Sequence, residues 1–261
     1  MLRVTGADAL TYLQSQISQD IRGLADGETS YTFVLQPTGK VDVLARITRV
    51  SAEQFLFDTD AGSGERLATR LNRFKIRVKV DVESLAWRMI AVRGAEAVQA
   101  GAVPAWGSED AYDILGEQPE PPPGIAGGSV EELEAARVTA GWPAMEQEIT
   151  ETTIPGETGV VALAVSFTKG CYPGQELVER MDSRGSSAPR FVRRLRGSGR
   201  AGVGDHVTHE GKDVGSITSV ATSGDRWIAL ASIARSTVPG DTVSVVSGGS
   251  STDSVVEESR A

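Results

Sequence analysis

One cysteine, Cys171, sits in the run Lys169-Gly170-Cys171-Tyr172-Pro173-Gly174-Gln175-Glu176, and the other residues of the 261-residue chain include no second thiol. An internal disulfide and a multi-thiolate metal centre are therefore excluded, which leaves single-thiol chemistry. Gly170 and Gly174 permit a sharp turn, Pro173 stiffens it, and the residues from Gln175 to Met181 have helical character. This pattern predicts a thiol near a helix N-terminus, where the dipole and free N–H groups favour a thiolate or a bound anion. Lys169 adds positive charge beside it. Glu176 and Arg180 stand four apart, the spacing of an ion pair along a helix. A small residue buried in a tight turn is the alternative reading of the cysteine.

Other constellations carry less chemistry. His206 and His209 are the only histidines, and three residues apart on a strand they face opposite sides, so no metal site is expected. Residues 197–202, GSGRAG, satisfy G-x-G-x-x-G, but the strand-like stretch Val203 to His209 follows where a dinucleotide site needs a helix; a hairpin loop is expected. No G-x-S-x-G elbow marks a serine hydrolase. Arg66, Arg70, Arg73, Lys75, Arg77 and Lys79 form one cationic run, and Arg190, Arg193, Arg194 and Arg196 a second. Each reads either as a solvated face or as a positive wall for a polyanionic ligand. Between Lys75 and Val80 apolar and cationic residues alternate, which predicts a strand with one cationic face.

The elements that must position these residues follow from periodicity. Leu10, Leu13 and Ile17 predict an amphipathic helix over Ala7 to Ile17. Ser30 to Leu35 and Val41 to Val50 predict a hairpin around Pro37-Thr38-Gly39-Lys40, with a further strand at Gln54 to Asp58. A helix is expected over Gly64 to Phe74, then strands at Ile76 to Val82 and Leu85 to Val92. Residues 116–129 are too rich in proline and glycine for a core element, and a helix from Val130 to Val138 follows with Ser129 and Glu132 spaced as a capping box. From Phe191 onward, short β runs punctuated by glycine predict a small antiparallel barrel. The polar residues 248–261 are expected to be a disordered tail.

Net charge is −9, with a sequence pI near 4.9, which opposes nonspecific nucleic-acid binding; no direct nucleic-acid partner is expected. No window reaches about 18 uninterrupted apolar residues, and no charged leader precedes an apolar stretch. No membrane association and a cytoplasmic location are expected.

KGCYPGQExxxR, ending in Arg180, resembles the signature of the YgfZ family, folate-binding proteins of the glycine-cleavage T-protein superfamily. VTGADALTYLQSQISQDIRGL resembles the superfamily's opening and SYTFVLQPTGKV its hairpin, and RVTAGWP and IPGETG follow in the family's order. The resemblance implies an α+β, GcvT/YgfZ-like, three-lobed architecture. Residues 1–50 and 128–190 would form a first folate-binding lobe, 51–127 a second α+β lobe interleaved with it, and 191–247 the C-terminal antiparallel β-barrel. It also implies a tetrahydrofolate or one-carbon derivative held by Lys169, Gly170, Tyr172, Gly174, Gln175, Glu176 and Arg180. Cys171 would be catalytic, as a transient thiolate attacking a folate-bound one-carbon unit or touching a cluster intermediate. The implied role is assistance to iron–sulfur client proteins or assembly factors, with an effect on tRNA modification through such enzymes. One thiol cannot hold a conventional cluster, which needs about four protein ligands. The cationic residues between Arg66 and Lys79 would meet a polyglutamate tail.

Two alternatives stand beside this reading. The first is a folate-dependent aminomethyltransferase, whose loop has Asp and Phe where this chain has Cys171 and Tyr172. Its hairpin Asp pair falls on Val43 and Leu44, with Asp42 one residue away and so, by strand alternation, on the opposite face. Its pterin-binding glutamate matches Thr139. The second alternative is a noncatalytic folate-sensing or scaffold module. Family members usually carry more residues ahead of the G-x-D-A helix than the five before Gly6, so an N-terminal strand is expected to be missing.

Overall fold

Alternation of apolar and polar residues near the N-terminus is realised as an antiparallel sheet in a computed structural model that describes residues 1–95, 101–183 and 188–260. Strands β1 (Leu2–Thr5), β2 (Thr29–Leu35), β3 (Val41–Ser51), β4 (Gln54–Thr59) and β5 (Asp81–Ser84) pair in the order β2-β3-β4-β1-β5. Helices α1 (Ala9–Gln14) and α2 (Gly64–Arg73) supply Leu13, Leu67 and Leu71 to the same core as Ile17, Phe55 and Phe57. Each such side chain contributes about 1.5–3 kcal/mol when fully buried. α1 and α2 lie within the helices predicted from spacing.

The strand expected over Ile76 to Val82 is displaced. Lys75–Val80 is irregular, Ile76 is exposed, and the ladder starts only at Asp81. The alternating pattern was misleading because the segment is anchored by its far end: a Cβ on Gly6 would lie 2.0 Å from the Lys79 carbonyl oxygen.

A second, three-stranded sheet has the order β6-β8-β7, from β6 (Arg88–Arg93), β7 (Ala102–Pro104) and β8 (Ala111–Gly116). A buried ion cluster ties it to the first. Arg46 on β3 donates to Asp58 on β4 through Nε (3.1 Å) and Nη2 (2.8 Å), and its Nη1 lies 2.9 Å from Asp113 Oδ2 on β8. Arg93 donates to Asp113 Oδ1 at 2.9 Å and stacks on Trp106.

By contact the chain divides into two units, Met1–Gly127 with Val161–Glu179, and Gly128–Val160 with Arg180–Ala261. The first includes the short helix α4 (Val161–Ala164) and the start of α5 (Gln175–Ser183), whereas α3 (Val130–Ala140) belongs to the second. By contact, residues 128–160 therefore group with 180–261, and 161–179 with the N-terminal residues. Val138 of α3 packs with Val192 and Leu230, and Arg137 donates to Ser219 Oγ at 2.6 Å, so α3 is bound to the C-terminal sheet. The predicted capping box is present: Glu132 N–H donates to Ser129 Oγ at 3.2 Å, and Ser129 N–H to Glu132 Oε2 at 2.7 Å.

The second unit is built on β9 (Arg190–Ser198), β10 (His206–His209), β11 (Lys212–Ser223), β12 (Arg226–Ala234), β13 (Thr242–Ser247), β14 (Ser250–Val255) and β15 (Glu257–Glu258). They form one antiparallel sheet in the order β14-β13-β10-β11-β12-β9-β15. Its two edge strands are separated along the chain by Val256 alone, so the sheet must curl until its edges approach. Side chains bridge the seam: Arg196 N–H donates to Ser254 Oγ (3.0 Å), and Thr252 Oγ1 donates to the Ser198 carbonyl (3.2 Å). The disordered tail expected at 248–261 is corrected accordingly. Val256 and Ser259 are buried, and the small polar composition that suggested disorder supplies the seam's hydroxyls.

Candidate functional site

The KGCYPGQE run is fastened to the β2–β3 hairpin by two facing glycines. Gly39 in the hairpin has φ +85° and Gly174 has φ +83°. A Cβ on Gly174 would lie 2.6 Å from the Gln36 oxygen and 3.0 Å from Gly39 Cα, and one on Gly39 would lie 2.5 Å from Leu177 Cβ. Gly170 differs. Its φ is outside the left-handed region and a Cβ there would meet nothing within 4 Å, so the turn needs glycine at 174 and not at 170.

Lys169 is buried, and its ammonium donates to the carbonyls of Ile17 (2.6 Å) and Gln19 (2.9 Å), stapling the loop to the segment after α1. The same ammonium lies 5.2 Å from the centre of the Tyr172 ring. Burial lowers its pKa to about 8, against the attraction of Asp20. Tyr172 is buried as well, and burial raises its hydroxyl to about 12. Gln175 Oε1 accepts from Tyr172 N–H at 3.2 Å, and its amide donates to Glu179 on the next turn. Glu176 and Arg180 lie exposed on α5. Cys171 is exposed, four residues ahead of that helix.

The lysine gives a pH test. A folded pKa of about 8 against an ordinary 10.5 means that the folded state releases its proton first. Between these values the unfolded chain binds more protons, so stability rises with pH across that window. Urea midpoints of the wild type are expected to gain on those of Lys169→Met from pH 8 to 10. A constant difference would place the ammonium in water.

Beside the thiol lies an open pocket of about 280 Å³, lined by Leu10, Thr11, Gln14, Ser15, Arg22, Gly170 and Cys171. Asp20 chelates Arg22 and accepts from Gln14 Nε2 at 3.0 Å; its arginine partner holds the carboxyl well below the usual carboxylate range. Sequence reasoning missed the α1 and Arg22 contributions to this wall. The i, i+4 pairs Leu10/Gln14 and Thr11/Ser15 were the available signal, but only Leu10, with Leu13 and Ile17, was assigned, to the apolar face.

Asp42 corrects a second inference. Val34 pairs with Val43 and Leu35 with Val41, so Asp42 is the extra residue of a β-bulge, where counting alternate residues no longer assigns a face. Its carboxyl is half-buried, and burial raises its pKa against the pull of Arg66 and Arg70. Arg70 is itself buried, donating to Gln16 Oε1 at 3.2 Å and stacking on Phe74.

The remaining candidates belong to the second unit. In the second unit, His206 Nδ1 lies 2.6 Å from Asp213 Oδ2, and His209 Nδ1 lies 2.9 Å from the Thr242 carbonyl. No group of three or more His, Cys, Asp or Glu is placed to hold a metal among the described residues. GSGRAG joins β9 to β10, which are not paired, so it is a crossover loop and not the hairpin expected. Thr139 lines an open groove of about 590 Å³ with Arg196, Arg226 and Trp227. No helix among the described residues is long and apolar enough to cross a membrane.

The GCVT N-terminal domain family matches residues 1–101. The chain is 28% identical over 225 residues to a Neurospora crassa protein named iron-sulfur cluster assembly factor IBA57 homolog, mitochondrial, covering 74% of this chain and 51% of that one. It is 24% identical over 285 residues to the tRNA-modifying protein YgfZ of Edwardsiella ictaluri, covering 93% and 84%. The glycine cleavage system aminomethyltransferase T of Bartonella henselae superposes with a TM-score of 0.79 at 18% identity, over 99% of this chain and 84% of that one, and so shares the fold.

Proposed function

We propose that this chain, whose residues 1–101 match the GCVT N-terminal domain family and which is similar to YgfZ over most of its length, is a YgfZ/GcvT-like protein that binds tetrahydrofolate or a one-carbon derivative and assists iron–sulfur cluster assembly or repair through one thiol. The observation that carries this reading is the exposed Cys171 on the rim of a pocket, in a loop locked by glycines to the β2–β3 hairpin. The likeness to an iron–sulfur cluster assembly factor supports the iron–sulfur side of it. A cytoplasmic location goes with the proposal.

Small-ligand sites span about 300–1,000 Å³. At about 280 Å³ the pocket fits one end of a folate. Leu10 offers that end an apolar wall, while Gln14, Ser15 and the Arg22–Asp20 pair offer polar contacts. A bound folate supplies the one-carbon unit. Lys169, Tyr172, Gly174 and Gln175 hold the loop's shape, and Gly170, having no side chain, leaves the approach to the thiol open. Glu176 and Arg180 extend the same loop along α5. A cluster in transit would be cargo, since one thiolate is a single ligand of the about four it needs.

Calorimetric titration with tetrahydrofolate tests the ligand; the absence of binding at millimolar concentration would falsify the folate reading. For the thiol, Cys171→Ala is expected to leave a strain lacking this protein with the iron–sulfur enzyme activities of the deletion. Full restoration by that variant would make Cys171 structural and favour a noncatalytic scaffold.

A second reading, aminomethyl transfer, gains from the half-buried Asp42 in its bulge, a carboxylate near the place where the transferase has its Asp pair. Turnover with a glycine-cleavage carrier protein, lost in Asp42→Asn, would decide for it.

A further inference from the structure

The segment after α2 presents an exposed aliphatic side chain in a run of cations. Ile76 is 70% exposed, flanked by Lys75 and Arg77, with Arg73 and Lys79 nearby in sequence. No acidic residue occurs from Arg66 to Lys79, in a chain whose net charge is −9. Lys75 has a distant partner in Asp81 at 3.8 Å; Arg77 and Lys79 make no side-chain ion pair among the described residues.

A solvated cationic face would bury the aliphatic residue and expose the charges. Here both are exposed, and the backbone is arranged to keep them so. Arg77 has φ +55°, a left-handed conformation that non-glycine residues avoid. The far end is clamped: Asp8 Oδ2 accepts from Lys79 N–H at 2.7 Å, Asp8 N–H donates to the Lys79 carbonyl at 3.3 Å, and Val80 is buried in the sheet's core. The near end is held by the Ile76 N–H donating to the Phe74 carbonyl at 3.0 Å. The knob is thus fixed before any partner arrives, which lowers the ordering cost of binding.

We propose that Arg73–Lys79 is a docking surface for an acidic segment of a partner protein, with Ile76 entering an apolar recess of that partner and the surrounding cations meeting its carboxylates. An apolar anchor inside a polar rim is the usual anatomy of a protein interface. The positive patch orients an acidic partner that the rest of the surface repels. A nucleic acid or a flexible polyglutamate tail would use the cations and leave Ile76 without a role.

The test places the photo-crosslinking residue p-benzoylphenylalanine at position 76 in cells producing the full chain. The cross-linked partner peptide is then sequenced, synthesised and titrated against the purified protein. The expected peptide is acidic and carries an apolar residue, and it binds more weakly as salt is raised. Binding should fall at least tenfold for Ile76→Asp and for the double variant Arg77→Glu/Lys79→Glu, both melting with the wild type. A neutral or basic peptide, cross-links confined to nuclease-sensitive material, or equal binding by the variants would overturn the proposal. So would γ-linked hexaglutamate that binds as tightly as the peptide.

Discussion

Asp113→Ala is expected to lower the unfolding free energy by about 3–5 kcal/mol, the range found when one partner of a buried ion pair is removed. Asp113 accepts from Arg93 at 2.9 Å through Oδ1, and Oδ2 lies 2.9 Å from Arg46 Nη1. The Arg46 side chain is only 2% exposed, so water cannot replace what is lost. Asp58 would still hold Arg46, but Arg93 would keep the carbonyls of Val92 and Tyr112 and its stack on Trp106, with no carboxylate among the described residues. Asp113→Asn retains an acceptor and should lose less. Urea unfolding monitored by circular dichroism measures both. A loss under about 1 kcal/mol for the alanine variant would mean that the cluster is solvated like a surface pair.

Gly174→Ala should also be costly, and it should act on the site. A left-handed alanine costs about 1–2 kcal/mol in backbone energy. A Cβ 2.6 Å from the Gln36 oxygen then forces the loop off the hairpin. Under the proposed function, tetrahydrofolate affinity and Cys171-dependent activity are expected to fall together with stability. Gly170→Ala is the control: with nothing within 4 Å of the new Cβ, its stability should stay within about 0.5 kcal/mol of wild type. Equal effects at 170 and 174 would show that the loop is not docked as described.

Much of this was legible in the sequence because it rests on local rules. The helices around Leu13 and Leu67, the hairpin around Gly39 and the Ser129 capping box each depend on residues within a few positions of one another. What escaped was non-local. The bulge at Asp42 is a property of pairing between two strands, and one strand read alone cannot reveal it. Residues 248–261 look disordered in isolation, yet β14 and β15 complete opposite edges of one sheet. Lys169 was read as a charge beside the thiol; its ammonium is instead taken up by carbonyls about 150 residues away in the chain. Sequence singled out the loop of the candidate site, and only the fold supplied the wall of the pocket beside it: Leu10, Thr11, Gln14, Ser15 and Arg22.

The facing glycines have a consequence in time. Gly39 and Gly174 are 135 positions apart, and the hairpin can form on its own scale of about 1–10 μs long before the loop reaches it. Docking the loop requires closing that long stretch of chain first, an entropic cost borne before any contact rewards it. The thiol's surroundings are therefore among the last parts of the first unit to assemble and among the first to open. A chain caught partway through folding would hold a finished hairpin and an unplaced Cys171, a free thiol without the pocket that lies beside it in the folded unit.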